Sequence, residues 1–209
     1  PKIPKWLLER WKKNWPNDYL NFIKCIQDIH PHIDIAVKNN VSKWQKELDA
    51  ELMPNNVLRL SESGLISDKK GYDTGEWWVQ DYSSQLPVKC LTIGQDDEIL
   101  DLCAAPGGKT AQMLALGAKV HSIDLSDKRI IRFKENMRRL KFNPGIDNAD
   151  ILTYKTDKKW QKILLDVPCS STGTIRKNPE IFYSKNEKSV SNLVNLQTRL
   201  LEKSWSLLG

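Results

Sequence analysis

The stretch Ile99-Leu100-Asp101-Leu102-Cys103-Ala104-Ala105-Pro106-Gly107-Gly108-Lys109-Thr110 decides the fold. A short apolar run meets an acid, Asp101, then passes through small residues to Pro106-Gly107-Gly108 before a helix-compatible run begins. That is the pattern of strand, tight loop and helix start. Such a corner binds ligands. Glycines admit positive φ and remove the Cβ atoms that would hold a ligand off the backbone, while free N–H groups at the helix start favour a carboxylate or a phosphate.

Two plainer readings compete. Lys109-Thr110 resembles the end of a phosphate-binding P-loop, but that pattern needs a glycine where Cys103 stands. An ordinary glycine turn would explain Gly107-Gly108 alone, and it loses ground with each downstream acid that falls where a nucleoside ligand needs one. Lys119-Val120-His121-Ser122-Ile123-Asp124 reads as a second strand ending in an acid, 17 residues after Gly107. Doubly wound folds place an acid on a ribose hydroxyl at roughly 20. On spacing alone, a strand-end Asp124 without a ligand stands equally open.

Ser126 is placed to cap a helix whose Ile130, Phe133, Met137 and Leu140 recur at helical spacing, with Lys128, Arg129, Arg132, Arg138 and Arg139 on the other face. Asp150 follows where a third strand should end, and Trp160 to Asp166 reads as a fourth strand. Asp101, Asp124, Asp150 and Asp166 thus close four successive strands, whose ends converge on one crevice in an open parallel sheet. Directly after comes DVPCSSTG, Asp166 to Gly173. Proline fixes this loop, which holds Cys169 at the mouth of the crevice rather than in the core. A lone cysteine is more often a small buried hydrophobe; the setting of Cys169 beside hydroxyls and a carboxylate favours reactivity.

The 209 residues suffice for one full domain and a smaller one, and a 40% hydrophobic content can supply a core. No apolar run approaches the roughly 18 residues of a membrane span, and the start PKIPKW has no signal-peptide core. The formal charge of +6 is compatible with a polyanionic partner and proves none. Cys25, Cys90, Cys103 and Cys169 form no CxxC pair, so no metal site or disulfide framework is indicated and a reducing cytoplasm fits. His30, His32 and His121 are scattered.

At the N-terminus, Leu7, Leu8, Trp11 and Trp15 can share one face of a helix ending near Pro16, and a second helix runs from Asn17-Asp18 to about Ile29. Ile33, Ile35 and Val37 alternate as in a strand, Ser42 to Leu52 reads as helix, and Val57 to Leu60 as another strand. Gly71 to Gly75 is a turn-rich joint, which sets the domain boundary there. In EWWVQDYSSQLP, Glu76 to Pro87, the tryptophans suit a core, while Gln80, Asp81, Ser84 and Gln85 suit either packing or the wall of the cleft.

Taken in order, GEWWVQDYSSQ, DLCAAPGGKT, the Asp124 and Asp150 segments and LLDVPCSSTGTIRKNPEI resemble the Sun/Nop RNA cytosine-5 methyltransferases, most closely the bacterial RsmB-like ribosomal-RNA group. The resemblance covers residues 31–209. It implies an α/β fold in which a Rossmann-like, S-adenosylmethionine-dependent domain over 76–209 follows a helical and RNA-recognition-like α+β region over 1–75. Matched motif by motif, Cys103, Ala104, Ala105, Pro106, Gly107, Gly108 and Lys109 would cradle the methionine end of S-adenosyl-L-methionine. Asp124 would hold the ribose, Asp150 would lie at the adenine, and Asp166 would sit near the methyl group and the target base. Cys169, Asp166 and Lys109 would form the catalytic set. The partner implied is RNA, ribosomal before transfer RNA, and the target base must leave its stack to enter such a crevice.

Carbon 5 of cytosine is a poor nucleophile until a thiolate adds to carbon 6, after which a base removes the carbon 5 proton. Cys169 is the candidate thiolate that the residues themselves offer. The family instead carries a second cysteine, in a later T-C-S motif, as nucleophile and uses its P-C cysteine to release product. No T-C-S stands in this sequence. Leu193, Val194, Leu200, Leu201 and Trp205 mark a last helix before the sequence stops at Gly209, where a further strand is expected. The expectation is an incomplete piece of such an enzyme, with a C-terminally truncated sheet, that does not turn over alone. A non-catalytic cofactor- or RNA-binding module is the rival.

Overall fold

The computed structural model describes residues 3–27, 32–61 and 64–209. The chain divides into two units, residues 1–31 with 168–199 and residues 32–167 with 200–209. The first opens with helices α1 (Lys5–Asn14) and α2 (Tyr19–Gln27). Leu7 and Trp11, one turn apart, are buried as their spacing requires, whereas Leu8 is half-buried and Trp15 is 48% exposed, so the expected four-residue face narrows to two. Ile29 and His30, in the expected end of the second helix, lie outside the described residues.

In the larger unit, an antiparallel sheet of order β2-β3-β1-β4 is formed by β1 (Ile33–Val37), β2 (Ala50–Met53), β3 (Val57–Leu60) and β4 (Trp77–Val79). The alternation in β1 is real, yet both of its faces are covered. Ile35 packs with Trp44, Leu58 and Trp77. Ala36, on the opposite face, joins Trp78, Ala104, Ala105 and Phe133. Asp34 shares that second face, where Arg59 at 2.8 Å and the Tyr82 N–H at 3.0 Å satisfy it.

Two expectations are corrected here. The helix read over Ser42 to Leu52 stops early, as α3 (Val41–Glu47), because Asp49 turns the chain at φ 44° and Ala50 to Met53 pair in register with Leu60 to Val57. Strand pairing overrides the helical preference of Ala, Glu, Leu and Met. The joint at 75/76 is also no sheet boundary, since β4 lies beyond it and pairs with β1. Arg139 clasps this turn by donating to the carbonyls of Tyr72 at 2.6 Å and Trp77 at 3.1 Å. The two units also part the chain elsewhere, at residues 31, 167 and 199.

After α4 (Tyr82–Lys89), a helix that periodicity did not disclose, the chain builds β5 (Glu98–Leu102), α5 (Gly108–Ala115), β6 (Lys119–Asp124), α6 (Asp127–Arg139), β7 (Gly145–Asn148) and β8 (Lys162–Leu165). The four strands are parallel in the order β7-β6-β5-β8, so the winding reverses between β5 and β8. That reversal is where an open α/β sheet leaves a crevice at its carboxyl ends. Ile99, Leu100, Leu102 and Ile123 are fully buried, and Ile130, Phe133 and Met137 of α6 close over the sheet. Ser126 caps α6, accepting from the Arg129 N–H at 3.4 Å. β8 is shorter than the strand read from Trp160 to Asp166, because Trp160 forms a single parallel bridge with Leu208 instead.

The remaining helices are α7 (Ile181–Ser184) and α8 (Glu187–Leu207). In the smaller unit, Ile175, Ile181 and Phe182 pack with Leu7 and Trp11. Among the described residues, no helix is long and apolar enough to cross a membrane.

Candidate cofactor and active-site crevice

A cavity of about 220 Å³ opens at the switch point and is lined by Gln80, Asp81, Ser84, Asp101, Cys103, Lys109 and Asp166, with the small residues between Cys103 and Lys109 along one wall. The corner is built by two left-handed residues. Gly107 turns the chain at φ 100°, and Cys103 does so at φ 62°. For cysteine that conformation is costly, and non-glycine residues held this way cluster at ligand sites. A Cβ on Gly107 would come 2.7 Å from Met137 and 2.9 Å from Phe133. Gly107→Ala is therefore expected to lower the unfolding free energy by about 1–3 kcal/mol, from backbone strain and overpacking together, as read from urea melts.

Asp124, at the end of β6, is completely buried and fully bonded. It accepts from the Ala105 N–H at 3.1 Å, from the Ser126 N–H at 2.9 Å and from Arg129 Nη2 at 2.8 and 2.9 Å. One carboxylate thus ties the glycine corner to the next strand and to the first turn of α6. Asp150 lies two residues past β7. The Ala149 N–H donates to the Asp124 carbonyl at 3.2 Å, and the Asp150 carboxylate accepts from the Leu152 N–H at 2.9 Å.

Asp101 is 1% exposed and accepts from the Thr110 hydroxyl through one oxygen, while its other oxygen has no hydrogen-bond partner among the described residues. Burial pushes its carboxyl up to about 7, with neighbouring Asp166 adding to the rise and Thr110 opposing it. Lys109, on the first turn of α5, donates to Asp166 at 2.7 Å. Burial, then Asp124, push the Cys103 thiol up to about 11, against the opposing pull of Arg129. Cys103 stays protonated near neutrality and is no nucleophile.

Of the four polar residues singled out after β4, Gln80 and Asp81 precede α4 and Ser84 and Gln85 lie in it; Gln80, Asp81 and Ser84 line the cavity, whereas Gln85 is buried away from it. Gln85 donates to the Gln80 carbonyl at 2.8 Å, Gln112 donates to the Gln85 carbonyl at 3.0 Å, and Gln80 donates to Gln112 Oε1 at 3.1 Å. This ring of amides fixes α4 against α5. Cys169 is exposed and belongs to the smaller unit, with its sulfur 3.7 Å from Ser171 Oγ. Only Val167-Pro168 separates it from Asp166 along the chain.

The structure therefore brings Asp101, Cys103, Lys109 and Asp166 to one crevice, keeps Asp124 buried behind its Ala105 wall, and sets Asp150 at the neighbouring strand end. The pairing of Arg129 with Asp124 and the burial that raises the Asp101 carboxyl went unread in the sequence. The first had a signal, an arginine three residues after a capping serine, where its side chain reaches back to the preceding strand end. Among the described residues, no group of three or more His, Cys, Asp or Glu is placed to hold a metal ion.

The family model of the 16S rRNA methyltransferase RsmB/F matches residues 88–209. Ribosomal RNA small subunit methyltransferase B of Erwinia tasmaniensis is 34% identical over 216 residues, covering 97% of this chain and 50% of that protein. Its namesake from Yersinia enterocolitica is 32% identical over 219 residues, covering 98% and 51%. The chain thus spans about half the length of the curated relatives it matches. Among crystal structures, PH0851 superposes with a TM-score of 0.91 at 27% identity, over 99% of this chain and 50% of its own. NSun6 from Pyrococcus horikoshii, solved with SFG, gives 0.86 at 18% identity over 99% and 80%, a likeness of fold.

Proposed function

The chain belongs to the RsmB/F family of 16S rRNA methyltransferases, and from that premise we propose that it holds S-adenosyl-L-methionine in the switch-point crevice for methylation of carbon 5 of a cytosine in small-subunit ribosomal RNA, in the cytoplasm. The observation that carries the reading is the buried oxygen of Asp101, a crevice residue, which has no partner among the described residues and stands beside a corner of small side chains. A buried polar atom without a partner is costly unless something meets it. The ammonium of a methionine moiety is such a partner.

When bound, the sulfonium supplies an electrophilic methyl group. The chain's own residues do the holding. Backbone from Cys103 to Lys109 follows the methionine end, and Asp124 offers acceptors to the ribose hydroxyls once Arg129 yields one of its two bonds. Arg129 is 46% exposed, so water compensates it when it moves. Asp150 would lie at the adenine, and Lys109, donating to Asp166 at 2.7 Å, would hold that carboxylate in place for the target base. Cys169, exposed and beside a serine hydroxyl, is the thiol for chemistry on that base. In the division of labour the family resemblance implies, the addition to carbon 6 falls to a cysteine of a T-C-S block and product release to Cys169.

The test has two arms. Calorimetric titration of the chain with S-adenosylhomocysteine should show one site per chain, lost in Asp124→Ala. Bisulfite sequencing of small-subunit rRNA from cells with the coding region disrupted should lose one protected cytosine, since methylation at carbon 5 resists deamination. An unaltered pattern overturns the reading.

A further inference from the structure

The net charge of this protein is confined to one unit. Residues 1–31 and 168–199 carry eleven Lys and Arg against five Asp and Glu, whereas the remainder holds 21 of each, so the whole +6 belongs to the smaller unit. That unit also contains a groove of about 330 Å³ whose walls include Trp11, Trp15, Phe22, Ile175 and Arg176. The Phe22 ring meets Trp11 edge-on at 5.9 Å and Trp15 at 5.8 Å, which leaves the Trp15 indole 48% exposed. A second and more polar hollow shares Trp11, Trp15 and Thr172 with the groove and adds Arg10, Lys13, Asn14 and Glu187. Glu9, at the same hollow, is paired with Lys5 at 3.7 Å.

An apolar slot with a half-open indole, continuous with a polar hollow that offers Arg10 and Lys13 within a unit of net charge +6, matches the two needs of an unpaired polynucleotide. Bases seek aromatic faces once they leave their own stack, and phosphates seek cations alongside. A protein helix would fill the slot without using the charge, and a duplex would use the charge without filling the slot. We propose that this groove is a docking track for single-stranded RNA, with an unstacked base against Trp15 and Phe22 beside Arg176, and the flanking phosphates on Arg10 and Lys13. The choice of RNA as polyanion rests on the methyltransferase reading above; the groove and its charge do not.

Anisotropy of a short labelled single-stranded RNA, titrated with the 209-residue chain, tests this. Trp15→Ala should weaken binding about tenfold, within the range that a lost base–aromatic stack costs. Lys13→Ala should reduce the slope of log affinity against log salt by about 0.7, one phosphate contact on a single strand. Gly173→Leu supplies a variant that leaves the fold alone, because a Cβ at Gly173 meets nothing within 4 Å. Its side chain should crowd the groove and weaken RNA binding while S-adenosylhomocysteine binds as before. The inference is overturned if Trp15→Ala and Gly173→Leu bind RNA like the parent, if the annealed duplex binds as tightly as the single strand, or if the chain binds cofactor but no RNA. Groove-dependent RNA binding alongside an unaltered bisulfite pattern would instead sink the methyltransferase reading and leave the groove standing.

Discussion

Asp124→Ala is expected to lower the unfolding free energy by about 3 kcal/mol and to abolish binding of S-adenosylhomocysteine. The stability loss follows from what the carboxylate satisfies. Without it, the buried Ala105 N–H loses its acceptor, at about 1–3 kcal/mol for a group left unsatisfied, and the part-buried Ser126 N–H loses its own at a smaller cost. Breaking a buried ion pair can cost about 3–5 kcal/mol, but Arg129 is 46% exposed and rehydrates, which pulls the sum down to the lower end. The binding loss has a separate cause, the removal of the acceptors proposed for the ribose together with the tie that holds the glycine corner against β6. Asp124→Asn separates the two, because an amide oxygen still serves one N–H. It should recover about half of the lost stability in urea melts without recovering the cofactor. Retained cofactor binding in Asp124→Ala would remove Asp124 from the site.

Those local features were legible in the sequence because their signals are themselves local. An apolar run, a Pro-Gly-Gly bend, a strand ending in Asp124 and a serine cap before Asp127 each lie within a few residues of what they specify, and the β5-α5-β6-α6 path follows from them. Illegibility began where partners are distant or preferences mislead. Ala50 to Met53 consists largely of helix formers, and only its pairing with β3 makes it a strand. Pro87 interrupts the helical pattern of α4, which is held instead by the amide ring of Gln80, Gln85 and Gln112. Lys109 and Asp166 meet across 57 residues. The association of residues 168–199 with the N-terminal helices joins opposite ends of the chain, and no periodicity reports it. Burial was the other hidden quantity. Asp101 looks in sequence like any strand acid, and only complete enclosure makes it a weak one.

That enclosure predicts a stability profile of uncommon sign. Burial raises the Asp101 carboxyl to about 7, whereas the unfolded chain titrates it near about 3.9. Between those values the native state binds more protons than the unfolded state, so its contribution is fully present at and below about pH 4. It is lost steadily as pH rises, and the loss is complete once pH passes the folded value. At about 1.36 kcal/mol per unit, the total approaches about 4 kcal/mol. Asp101→Asn isolates the effect, because a neutral amide oxygen can still accept from Thr110 and carries no charge to bury. The stability difference, Asn variant minus parent, should therefore be near zero at pH 4 and grow to several kcal/mol by pH 8, with titration of all other groups cancelling in the subtraction. The same carboxylate supplies the functional check. A ligand ammonium beside the unpartnered oxygen would favour the ionised form, so saturating S-adenosylhomocysteine should recover much of the parent's loss above pH 6 and bind the Asn variant more weakly at pH 8. A difference that stays flat across this range would mean that Asp101 is not held protonated in the native state, and an Asn variant that binds S-adenosylhomocysteine as tightly as the parent at pH 8 would withdraw the ammonium contact proposed for its second oxygen.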